Sequence, residues 1–222
     1  INYYIMAEAK YVSALRFRWL TPLYDFFVGV TMPERRIKQT LINASFLTDY
    51  AAVLDFGCGT GTLTIMAKEH RPSINITGID IDKTILKKAS EKIGEKGMEI
   101  KFIAYDGEHL SFEDSSFDRI ISCLVFHHLD TTVKQKMLAE LYRVSKAGGQ
   151  IIIADFGRSA SWFQRMLFNL IRGLDGIKPT EANARGLMPS MISDAGFNYS
   201  GIEQKFKTIF GEVQLFKAIK QY

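Results

Sequence analysis

A doubly wound α/β fold with a mostly parallel seven-stranded sheet is what this sequence predicts, on three observations. Five short, β-branched apolar runs follow one another between Ala51 and Gly157, most of them ending in Asp or Gly. Segments with helical spacing separate them, which makes βαβ units with right-handed crossovers. Two further runs meet around Phe210-Gly211 as an antiparallel hairpin at a sheet edge. With 222 residues, 47% of them apolar, the chain is expected to form a single domain with one large core.

Taken in order, residues 1–45 carry helical patterning, broken near Thr21-Pro22 and again at Met32-Pro33, where proline suits a first helical turn. Two or three N-terminal helices are expected there. The chain opens on Ile1, with Met6 as a candidate start. Residues 51–157 form the expected ligand-binding core: AAVLDFG, INITGID, MEIKFIAYD, FDRIISCLV and GGQIIIADFG read as strands, and Leu63 to His70, Lys83 to Lys96 and Thr131 to Ser145 as helices. Runs as continuously apolar as IIIA and IISCLV fit strands covered on both faces. Residues 158–188 read as a cap insertion, with Trp162, Phe163, Met166, Leu167, Phe168, Leu170 and Ile171 crowded into one segment. Residues 189–222 read as a helix (Pro189 to Ala195) and the hairpin (Asn198 to Lys207 with Glu212 to Lys220).

Composition narrows the functional classes. A net charge of +4 from 28 basic and 24 acidic residues, with no basic stripe, gives no footprint for nucleic acid, and none is expected as a partner. Cys58 and Cys123 lie in separate elements without zinc-site spacing, so a reducing, cytoplasmic setting is expected and no metal. No apolar run approaches the roughly 20 residues of a membrane span. The oligomeric state is not legible.

The strongest motif is VLDFGCGTGTLTIMA, Val53 to Ala67, in which Gly57, Gly59 and Gly61 alternate between an apolar strand and a helix. Glycines at this spacing let the backbone turn sharply and approach a ligand, while the helix start offers unpaired N–H groups. A dinucleotide fingerprint requires its third glycine where Thr62 stands, so NAD is disfavoured. Asp55, just before the loop, suits an ammonium group and would repel a pyrophosphate.

Asp55, Gly57, Gly59 and Gly61 match D-x-G-x-G-x-G, and here the chain resembles the class I methyltransferases that use S-adenosyl-L-methionine. That resemblance implies a cofactor held by Asp55, Gly57, Cys58, Gly59, Thr60 and Gly61. Asp80, with Ile81 beside it, is placed at the ribose hydroxyls, Asp82 being read instead as a helix cap. Asp106 and Gly107 are placed at the adenine, with Leu110 or Phe112 available to cover the ring. Cys123 and Leu124 stand beside the methionine half, mainly through their backbone, and Cys123 has no basic neighbour to make it a nucleophile.

His127 and His128 follow the fourth strand and are candidate general bases, since an imidazole can take a proton from a hydroxyl or phenol. A metal pair is disfavoured because the sequence shows no acidic partner for them. TPLYD, DGEHLSFEDSSFD and the overall plan resemble the ubiquinone and menaquinone biosynthesis group, which implies C- or O-methylation of a lipophilic small molecule with Tyr24 lining the site. The cap and the aromatic N-terminus agree with an apolar or aromatic acceptor. Two other classes are weighed beside this reading: an idle module that binds the cofactor and acts through protein contacts, and an NAD-dependent oxidoreductase.

Overall fold

The computed structural model describes residues 33–157, 182–183, 185–208 and 211–222. The expected helices before residue 33, Tyr24 and nearly all of the expected cap lie outside the described residues. Within them the order is α1 (Glu34–Ala44), β1 (Ala52–Phe56), α2 (Thr62–His70), β2 (Asn75–Asp80), α3 (Lys83–Lys96), β3 (Lys101–Ala104), β4 (Phe117–Cys123), a short 3₁₀ turn (Phe126–His128), α4 (Thr131–Val144), β5 (Ser145–Phe156), α5 (Met188–Asp194), β6 (Asn198–Thr208) and β7 (Gly211–Ile219).

The seven strands form one sheet in the order β3-β2-β1-β4-β5-β7-β6. Strands β3, β2, β1, β4 and β5 are parallel, and β7 runs antiparallel to both β5 and β6. From β1 the chain winds outward to β3, then returns to place β4 on the other side of β1. The strand order therefore reverses between β1 and β4, the crevice where open α/β sheets bind ligands.

Alternation along each strand explains its apolar character. Leu54, Phe56, Ile120, Ile151, Ile153 and Phe216 face one buried layer with Leu138 and Leu141 of α4 and Ile192 of α5. Val53, Ile121, Ile152 and Leu215 face the other, with Ile37 and Leu41 of α1 and Leu63 of α2. Burying a side chain such as Ile152 or Phe216 stabilises the fold by roughly 1.5–3 kcal/mol relative to exposure. Helix ends follow local chemistry: the Asp82 carboxylate accepts from the N–H groups of Thr84 and Ile85, as its capping role predicts, and Gly97 ends α3 in the left-handed region. Pro189 sits in the first turn of α5. Strand β5 begins at Ser145, earlier than the apolar run suggests, and the helix before it stops at Val144.

Candidate active site

The β1 loop turns on three glycines in the left-handed region, Gly57, Gly59 and Gly61, with φ of 70°, 54° and 73°. Two of them are needed to keep the protein's own atoms apart. A Cβ at Gly57 would collide with the methyl groups of Val125, and one at Gly61 would lie 2.7 Å from the Phe102 ring. Gly59 differs, because a Cβ there would meet no atom of the described residues within 4 Å. Its open side is the face on which a ligand can approach the backbone.

Asp80 braces this loop. One carboxylate oxygen accepts from the Gly59 N–H at 2.9 Å and the other from the Asp82 N–H at 3.0 Å, so the end of β2 and the β1 loop are one unit. Cys58 completes it through its backbone: its N–H donates to the Ile79 carbonyl at 2.9 Å and its carbonyl accepts from the Gly61 N–H at 3.0 Å. The Lys92 ammonium donates to the Thr60 carbonyl at 3.0 Å.

Asp55 lies beneath the loop, 1% exposed, accepting from the Thr64 hydroxyl at 2.6 Å. Burial pushes its carboxyl up to about 7, against the Thr64 hydrogen bond and the Lys38 charge, which pull it down. Burial likewise pushes the Cys123 thiol up to about 12 and raises Cys58, so neither is an activated nucleophile.

Past β3, the Asp106 carboxylate accepts from the N–H groups of His109 and Glu108, which hold it below the usual carboxylate range. Gly107 stands next to Ile81, whose side chain is 37% exposed: a Cβ on this glycine would lie 3.8 Å from an Ile81 methyl. Leu110 has no surface left to cover a ring, and Phe112 is partly buried. Leu110 is fully buried in the core and Phe112 packs edge-on to Phe117, because Arg143 donates to the carbonyls of both residues and pins the segment to α4.

On the other side of the crevice, Leu124 takes a left-handed φ of 61° at the end of β4, its N–H donating to the Ala154 carbonyl. Phe126 plugs the 3₁₀ turn into the core against Phe56, and His127 and His128 follow with ring centroids 3.9 Å apart. His127 does have an acidic partner, contrary to the sequence reading: its Nδ1 lies 2.9 Å from the Asp155 carboxylate at the end of β5. Burial works to raise the Asp155 carboxyl, but the charge and hydrogen bond of His127 and the Phe156 N–H outweigh it and hold the group below its usual range.

His127 retains 14% side-chain exposure and Asp155 none. The His127 charge, then desolvation, pushes His128 below the usual imidazole range. Two further residues join this cluster. Fully buried Asn183 donates to Asp155 at 3.3 Å, and Lys134 of α4, also fully buried, is pushed down to about 8 by desolvation despite Asp155 and Asp130. Asp155 is the main residue the sequence reading missed, although it ends an apolar strand as Asp55 and Asp80 do. Nothing local points to Asn183. Among the described residues, no group of three or more His, Cys, Asp or Glu could hold a metal ion.

A family profile described as a methyltransferase domain matches residues 53–149. A demethylmenaquinone methyltransferase of Thermus thermophilus is 34% identical over 143 residues, covering 64% of this chain and 62% of that enzyme. The chain thus spans less than two thirds of that relative's length. A phosphatidylethanolamine N-methyltransferase of Cereibacter sphaeroides is 31% identical over 151 residues, covering 67% of this chain and 69% of the relative. In fold, the chain resembles the YcgJ protein of Bacillus subtilis, with a TM-score of 0.72 at 20% identity over 85% of this chain and 99% of that one.

A glycine-turned crevice at the strand-order reversal, with carboxylates at the strand ends, defines a Rossmann-like nucleotide-cofactor fold. Within that class the chain belongs to the S-adenosylmethionine-dependent methyltransferases. The residues present fit the family's cofactor: Gly59 leaves a backbone cradle, and Asp80 and Asp106 stand at the mouths of β2 and β3. No helix among the described residues is long and apolar enough to cross a membrane.

Proposed function

We propose that the protein transfers a methyl group from S-adenosylmethionine to a hydroxylated small molecule, of the phenol or quinol kind, with His127 as general base and Asp155 as its partner. The observation that carries this reading is the 2.9 Å contact between His127 Nδ1 and the buried Asp155 carboxylate. An ionised carboxylate only accepts, so Nδ1 holds the proton and Nε2 keeps a lone pair. That lone pair takes the proton of the acceptor hydroxyl and leaves an oxygen, or a ring carbon conjugated to it, electron-rich enough for C- or O-methylation. When bound, S-adenosylmethionine supplies a methyl group activated by its sulfonium.

The remaining residues bind and orient. The Gly59 N–H region and Thr60 form the cradle, and Asp80 has acceptor capacity left for ribose hydroxyls while bracing the loop. Ile81, Asp106 and Gly107 form the adenine side, and the backbone at Cys123 and Leu124 flanks the methionine half. Asp55 lies buried beneath the loop, where the ammonium of the cofactor favours its ionised form, and Gly57, Cys58 and Gly61 act by shaping the loop. His128, whose ring lies tilted against that of His127, helps hold it in place, and Tyr24 is proposed to line the acceptor side. The aromatic character of the cap and the demethylmenaquinone acceptor named for the Thermus relative both favour an aromatic, lipophilic acceptor.

The test is a screen of lipophilic phenols, quinols, carboxylates and amines, read by release of S-adenosylhomocysteine. It is followed by His127→Ala at saturating cofactor. Turnover is expected to fall by about 10²–10⁴-fold, with affinity for S-adenosylhomocysteine unchanged. Full turnover in His127→Ala sinks the general base, and tight binding of NAD with none of the sulfonium ligand sinks the whole reading.

A further inference from the structure

Asp155 is held from more sides than its pairing with His127 requires. One oxygen, Oδ1, receives the His127 Nδ1 proton at 2.9 Å, the Phe156 N–H at 2.7 Å and the Asn183 carboxamide at 3.3 Å. Oδ2 is reached by the His127 backbone N–H at 3.4 Å. Asn183 is not a bystander to this network. Its Nδ2 also donates to the Phe156 carbonyl at 2.8 Å, so both carboxamide protons are spent on two consecutive residues of β5. The reverse orientation of the amide would set its oxygen against two acceptors, which fixes the assignment.

Asn183 is fully buried, and among the described residues its Oδ1 has no hydrogen-bond partner. A residue serving packing alone would bury an apolar side chain here rather than a carboxamide with both protons committed to β5. We infer that Asn183 is a positioning residue: it clamps the Asp155 carboxylate to the β5 backbone, so that Oδ1 stays aimed at Nδ1 of His127 and the base keeps a single tautomer. This inference rests on the reading of His127 as general base, and it adds a third member, 28 residues beyond Asp155. The other titratable groups facing the cluster are Lys134 and Asp130 around α4 and His128 beside His127, the last held neutral by its lowered pKa.

Ring ¹⁵N chemical shifts of His127 in the full chain report which nitrogen carries the proton of the neutral imidazole. The unaltered protein is expected to hold it on Nδ1. In Asn183→Leu, which keeps the bulk and removes both donors, the ring is expected to become a mixture of tautomers, and Asn183→Ser, with one donor, to fall between. A His127 spectrum unchanged in Asn183→Leu overturns the inference.

If neither variant folds, a pH titration of the unaltered protein decides. The Asn183 side-chain amide signal must move together with the His127 ring, because the two share Asp155 Oδ1, and an amide signal flat through that titration overturns the inference as well. Turnover of His127→Ala with reduced demethylmenaquinone as probe separates this outcome from failure of the base itself. Full activity there removes the base reading whatever the tautomer does, whereas lost activity with a tautomer indifferent to Asn183 removes only the positioning role.

Discussion

The two sides of the crevice are built in different ways. On the β1–β3 side, each element ends in its own functional group: Gly59 follows β1, Asp80 ends β2 and Asp106 follows β3, and the bonds that organise them are mostly from side chain to backbone. On the β4–β5 side, side chains from distant parts of the chain, His127, Asp155 and Asn183, meet around one buried carboxylate. The first arrangement is modular. The second is a connected network, and on the function proposed above it falls in the half of the site that meets the acceptor, which differs between the named relatives.

If that division is right, substitutions on the two sides must separate in their kinetics. The largest effect is expected for Asp155→Asn, whose amide cannot fix the His127 tautomer as a carboxylate does. Turnover should drop about 100-fold or more while calorimetry with S-adenosylhomocysteine shows unchanged affinity. Weakened cofactor binding in this variant would break the comparison.

Next come the glycines. Gly57→Ala forces a side chain into Val125, and urea unfolding should show a loss of roughly 1–3 kcal/mol, as for other overpacked sites. Gly59→Ala meets no atom of the described residues, so its cost to the fold is expected to be limited to the left-handed backbone, roughly 1 kcal/mol, with the larger loss in cofactor affinity. Equal stability losses in the two variants would remove Gly59 as the ligand-facing position. Asp80→Ala should weaken S-adenosylhomocysteine by roughly 1–3 kcal/mol through unpaired ribose hydroxyls and a loosened loop.

A separate effect, one of pH, concerns Asp55. Its folded pKa of about 7 lies above the ordinary 3.8, so the stability it contributes is complete below about 3.8 and is lost as pH rises through about 7. Asp55→Asn lacks that loss. Urea melts at pH 5 and pH 8 should therefore show the unaltered protein losing stability relative to the variant. Parallel curves would mean the carboxyl is already ionised at pH 5.

The same division governs what could be read from the sequence. The alternation of β1 to β5, the terminal hairpin and the glycine motif are short-range patterns, and the structure follows them closely because the central strands β1, β4, β5 and β7 are largely buried and each helix carries one apolar side. Asp82 was legible as a cap for the same reason. The pairing of His127 with Asp155 was not, since adjacency across β4 and β5 follows from the sheet order rather than from spacing. Leu110 and Phe112 stand in the segment expected to meet the adenine, yet they turn into the core because Arg143, some thirty residues on, holds their carbonyls.

The contact between Gly57 and Val125 has a consequence for redesign. Val125 precedes the turn that carries both histidines, and its methyl groups occupy the space a side chain at position 57 would need. The turn proposed to serve the acceptor is thus keyed into the loop proposed to serve the cofactor. A chimera that imports a foreign β4–α4 turn to change substrate would have to carry a residue no bulkier than valine at position 125, or bring its own β1 loop with it. Substrate choice in this scaffold can be exchanged only in pieces that respect that seam.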